Sequence, residues 1–145
     1  MNLASFRILV FLLALFLPTT LALACHCLHG SDEFMSGVIA KELKDNGGVL
    51  VEAEALSNQG EKGAHTTMFK VLDVWVGPAG EPGQTITVRH NLNGEACGLK
   101  FEAGQKLFLL ATANSDGVLM TNQCLQGMAE RAHLWGKPRV KVLAK

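Results

Sequence analysis

Four residues with reactive side chains crowd into one short stretch: Cys25, His26, Cys27 and His29. Two further cysteines, Cys97 and Cys124, stand far along the chain. Three chemistries are open to such a group. Thiolates and imidazoles ligate zinc or copper, with a free terminal amine as a further donor. That use needs reduced thiols. A cysteine directly behind Ala22-Leu23-Ala24 is also a tolerable site for a bacterial lipoprotein's lipid, on the Cys25 sulfur and amine. The third use is disulfide formation, since an even number of cysteines in a small exported domain reads as two bonds. Neighbours in a Cys-x-Cys unit are too strained to bond each other. Cys25 and Cys27 therefore each reach one of the distant pair, and which takes which stays open at this level. Closing such loops removes about 4–5 kcal/mol of unfolded-state entropy per bond on the chain-entropy account. Lipidation of Cys25 would leave an odd thiol among the other three, so the cysteine count favours two disulfides over a lipid, and oxidised sulfurs over a metal site of the chain's own.

What precedes Cys25 gives it a second significance. Arg7 is the only charge in the first 24 residues, and an apolar run from Ile8 to Leu17 follows it. Pro18-Thr19-Thr20 breaks the run, and Ala22 and Ala24 are small. These are the n-region, h-region and cleavage site of a secretory signal. The apolar core is short for a hydrocarbon layer of ~30 Å, and Pro18 interrupts it. Residues 1–24 are expected to be a removed signal peptide, and residues 25–145 one secreted or periplasmic domain. Loss of 24 residues from 145 leaves 121, enough for one modest core. That part holds 13 Asp and Glu against 12 Lys and Arg once Arg7 is gone. Near neutrality points to no nucleic acid, and to no membrane unless Cys25 is lipidated.

Elsewhere the reactive residues form no constellation. His65, His90 and His133 lack metal-ligand spacing and read as surface or strand residues. Glu52 and Glu54 share one strand face, which is expected to be solvated rather than an acid–base pair. Ser31 and Ser36 have no nucleophile context. Trp75 and Trp135 read as core or edge aromatics. Neither an enzyme nor a cofactor is expected.

The elements that must position the cysteines can be read from periodicity. Ser31-Asp32-Glu33 opens a helix, with a capping hydroxyl and two acids at the positive dipole end. Phe34, Met35, Val38, Ile39 and Leu43 form its apolar side, and Asp45-Asn46-Gly47-Gly48 stops it. From Val49 the period becomes two through Val51, Ala53 and Ala55. Ser57 to Gly63 reads as a polar turn, Thr66 to Val76 as a second strand, and Thr85 to His90 as a third. A turn follows at Asn91 to Glu95. Cys97 to Phe101 is expected as a short strand and Lys106 to Thr112 as a strong one. Asn114-Ser115-Asp116-Gly117 turns a hairpin, from which Val118 to Cys124 returns. Met128 to Trp135 suggests a helix, and Val140 to Leu143 a short apolar tail. This count predicts a mainly β fold, a small OB-type barrel with a packed helix.

Three places in the chain resemble the tissue inhibitors of metalloproteinases, in their N-terminal netrin-like domain. Cys25-His26-Cys27 is similar to that family's mature start. Gly94-Glu95-Ala96-Cys97-Gly98-Leu99-Lys100-Phe101 is similar to the segment around its next matching cysteine. Leu107-Phe108-Leu109-Leu110 through Asp116-Gly117-Val118-Leu119 to Cys124 is similar to its closing hairpin. The resemblance spans about Cys25 to Leu125. It implies a five-stranded OB barrel with a helix packed on it, bonded Cys25–Cys97 and Cys27–Cys124.

The resemblance also implies a secreted metalloendopeptidase inhibitor. Its first cysteine would bind the catalytic zinc of a partner protease through its free α-amine and carbonyl oxygen. One residue's amine nitrogen and carbonyl oxygen close a five-membered ring on a metal, and catalytic zinc keeps a position open for them. An α-amino pKa of about 7.7–8.0 lets the amine lose its proton near neutrality. Carried over, Cys25 chelates, His26 enters the protease's main specificity pocket, and Cys27, Leu28, Glu95, Ala96 and Cys97 belong to the contacting ridge. Inhibitory members prefer a small hydroxyl residue where His26 stands, and Leu28-His29 replaces an apolar–proline pair. A third disulfide and a C-terminal domain of the family are not matched here. The alternative is a non-inhibitory netrin-like binding module, or a lipoprotein of that fold lipidated at Cys25.

Overall fold

The computed structural model describes residues 25–61, 64–91 and 97–145. The expected signal segment 1–24, and Glu95 and Ala96 of the expected ridge, lie outside these. Helix α1 covers Asp32–Lys44, and the Ser31 side chain accepts the Phe34 amide at 3.3 Å. Asp32 and Glu33 sit at its positive end, Lys41 and Lys44 at its negative end. Met35, Ile39 and Leu43 are buried, whereas Phe34 is 49% exposed. The buried stripe is thus narrower than the apolar run: it follows a spacing of four, which keeps one line of the helix inward.

Strands β1 (Val49–Glu61) and β2 (Ala64–Val76) form a long antiparallel hairpin. The polar stretch Ser57 to Gly63, expected as a turn, is strand up to Glu61, paired from Ser57 opposite Met68 to Glu61 opposite Ala64. Backbone ladders hold this distal part, and ladder bonds leave no mark on side-chain composition. Strand β3 is Thr85–His90, β4 is Lys106–Ala113 and β5 is Leu119–Met120. They close in the order β1-β2-β3-β5-β4, with β4 pairing back on β1. Only the β3–β5 contact is parallel among the described pairings, with Arg89 opposite Met120. The protein is therefore mainly β, a closed five-stranded OB-like barrel with helix packed on it.

Two expected strands are corrected. Cys97 to Phe101 is irregular, because its backbone is bonded singly to scattered partners instead of to one neighbour. The Leu99 amide donates to Asn91 O at 2.6 Å, and Cys97 O accepts the Gln123 amide at 3.0 Å. The return after the hairpin is strand only at Leu119–Met120, since Asn122 caps a helix by accepting the Leu125 amide at 2.9 Å. That helix, α2, covers Gln123–Trp135 and starts five residues before the expected Met128. The apolar tail is a further short helix, α3, Lys137–Leu143, which buries Val140.

Strand parity divides the core in two. Val49, Val51, Ala53, Ala55, Phe69, Val88, Leu109 and Ala111 fill the barrel. Leu50, Trp75 and Leu110 point outward and pack under the helices against Ile39, Met128, Ala132 and Val140. Leu109 and Leu110 are adjacent yet belong to different cores, which is the period of two at work. Gly77 turns the chain out of β2 with φ of 88°. A Cβ there would lie 2.9 Å from the Val49 Cα and closer still to Gly48 O, so this crossing admits only glycine.

Candidate functional site

Residues 25–30 have no regular secondary structure, and they are held to the barrel at three points. Cys25 bonds Cys97 and Cys27 bonds Cys124, with Cα separations of 5.3 and 5.1 Å. The third hold is a hydrogen bond from Arg131 on α2 to Gly30 O at 2.9 Å, with Asp32 Oδ1 4.0 Å from the same guanidinium. The two cysteines are half-buried while His26, Leu28 and His29 are exposed. From Cys25 to Leu28 anchored and free side chains alternate, and His29 is exposed as well.

The anchors differ in what supports them. Cys124 stands in the first turn of α2, a regular element capped by Asn122. Cys97 has a positive φ of 54°, a conformation that costs a non-glycine residue about 1–3 kcal/mol and persists only where the surroundings hold it. The surroundings include a chain of polar side chains across the barrel mouth. His90 on β3 is 1% exposed. Its Nε2 lies 2.8 Å from Thr67 Oγ1 on β2, and that hydroxyl donates to Asn58 Oδ1 on β1. Asn58 Nδ2 donates to Phe101 O at 2.6 Å. With the hydroxyl proton committed to Asn58, His90 must be the donor toward Thr67. Phe101 stands edge-on to both His90 and Phe69, at 4.9 and 5.0 Å. Three strands therefore grip the segment that begins at Cys97. Burial holds the His90 pKa below its ordinary value, against the raising effect of the Asn91 carbonyl, which accepts from Nδ1 of the protonated ring, and His65 adds a lowering charge.

Of the expected site residues, the structure brings Cys25, Cys27, Cys97 and Cys124 together, with His26 and Leu28 beside them. The sulfurs of Cys25, Cys27 and Cys124 lie within 4.8 Å of one another. All are in disulfides, and it is the thiolate that ligates metals, so the Cys25–His29 metal reading loses its sulfur donors in this state. His29 Nδ1 instead faces Leu28 O at 2.9 Å. His90 is a strand residue as read, but a buried one. The alternation of Ile86, Val88 and His90 on one face could have placed it inward. Arg131 and Asn58 carried no sequence signal, because each acts on a residue far away in the chain.

Fold and site together define a disulfide-bonded OB-like barrel that carries an exposed, cysteine-anchored segment at residues 25–30. No family model matches the chain, and no curated protein matches it.

Proposed function

We propose that the chain, once cut before Cys25, is an inhibitor of a zinc metalloendopeptidase, related in mode to the tissue inhibitors of metalloproteinases. The observation that carries this reading is the pairing of Cys25 with Cys97 and Cys27 with Cys124 beneath an exposed His26 and Leu28. A terminal residue bonded in this way presents its amine and carbonyl with little ordering left to lose on binding. The amine nitrogen and carbonyl oxygen of Cys25 would occupy the open position of the partner's zinc and displace its water. His26 would enter the adjoining pocket, with Leu28 alongside. The molecule does no bond-breaking of its own in this reading. The Cys25–Cys97 bond also argues against lipid on the Cys25 sulfur, which has no valence left for it.

Exposure of a bulky imidazole at His26 favours a second reading, a secreted binding module that uses the same ridge without reaching a protease zinc. One experiment separates them. Protein beginning at Cys25 is assayed against a panel of zinc endopeptidases beside a form with one residue added before Cys25. Inhibition by the first and its loss in the second is the expected result. Equal inhibition by both would sink the chelation mechanism, and no inhibition by either would leave the binding module.

A further inference from the structure

A trough runs from the ridge along α2. One depression is lined by Leu28, Met35 and Met128, the next by Phe108 and Leu134, and the two share Leu99, Gln126 and Glu130. Its walls are apolar in larger part, and Leu28 and Leu134, which line its two depressions, are 56% and 83% exposed. Its charges are unbalanced. Lys100 and Lys106 border it, against the single acid Glu130 among the described lining residues, while the Arg131 guanidinium faces Asp32. The Gln126 side chain crosses the middle. Its Nε2 donates to Phe108 O at 2.6 Å, while its Oε1 is buried with no partner.

We propose that this trough docks an extended, acidic and apolar segment of the same partner protein that the ridge engages. The proposal rests on the ridge being the partner-contacting surface, because the trough begins at Cys27 and Leu28 and continues it. Apolar side chains of the segment would meet Leu99, Phe108 and Leu134. Its carboxylates would face Lys100 and Lys106. The basic rim selects the sign of the partner, since charge complementarity acts chiefly on specificity and encounter rate. Contacts beyond the zinc would let the inhibitor distinguish proteases whose metal sites are alike.

The test uses isotope-labelled protein beginning at Cys25, titrated with a short, terminally blocked peptide of alternating glutamate and leucine. Resonance shifts centred on Leu99, Phe108, Gln126 and Leu134 are expected, weakening as salt rises. Lys100→Glu with Lys106→Glu, both on exposed side chains, should lower the peptide's affinity about fivefold or more. A leucine–lysine peptide should bind less well than the acidic one. Absence of shifts, equal binding of the two peptides, or shifts that track self-association of the protein would each overturn the proposal. The form with a residue added before Cys25 keeps the two ideas apart. Peptide binding retained there, with inhibition lost, supports both trough and chelation. Inhibition by the Cys25 form with no peptide binding would overturn the trough alone.

Discussion

Phe69, fully buried among the strands, and Leu28, more than half exposed on the ridge, mark two regions of one small molecule held by different means. The barrel is kept together by buried apolar area on both faces of its sheet. The ridge buries little, and two disulfides with one arginine hydrogen bond hold it. Burial yields stability but consumes the surface it uses. Covalent anchoring leaves His26 and Leu28 facing outward, the freedom that the proposed docking into another protein would need.

The comparison can be broken from either side. Phe69→Ala should cost about 3–5 kcal/mol of stability, read from urea unfolding, because a cavity opens in the barrel. Under conditions where that variant is still folded, its inhibition should equal that of the parent. Changing Cys27 and Cys124 together to serine should cost about 2–5 kcal/mol. Unlike the barrel variant, it should also weaken inhibition in protein confirmed folded by circular dichroism. Undiminished inhibition would show that Cys25–Cys97 and the Arg131 hydrogen bond hold the ridge without the Cys27–Cys124 bond. Asn122→Ala removes the cap beneath Cys124 and should cost about 1 kcal/mol, measured as a shift in thermal midpoint.

Near neutral pH the smallest effect belongs to His90. Its folded-state pKa is lowered by burial, whereas the unfolded side chain titrates near the ordinary 6.5. Above that value both states are neutral and nothing is lost. As pH falls below it, the unfolded chain takes up a proton that the buried imidazole resists, so stability declines until the folded-state pKa is passed. Urea midpoints from about pH 8 down to pH 5 should therefore fall, and His90→Gln should flatten this part of the decline. An unchanged slope in that variant would assign the decline to other groups.

Local patterns announced α1, the inner face of β1, strands β3 and β4, and the Asn114 turn, in which Asn114 Oδ1 accepts the amides of Asp116 and Val118. Each is governed by neighbours within a few positions. The long hairpin beyond Ser57 was misread because its support is backbone pairing across the sheet. The start of α2 was misread because Asn122 sits directly after a strand, where a cap and a turn look alike.

By itself, the order of residues determined which side chains can do chemistry here. It placed four cysteines in the chain, an apolar run and small residues before Cys25, and an alternation that puts Val88 and His90 on one face. Only the tertiary structure decided how they combine. It joined Cys25 to Cys97 and Cys27 to Cys124, ran a polar chain from His90 to Phe101, and laid α2 beside the ridge to form a trough. The physical reason is range. Periodicity reports forces between near neighbours, whereas a disulfide across 72 or 97 positions depends on where the closed barrel sets both ends.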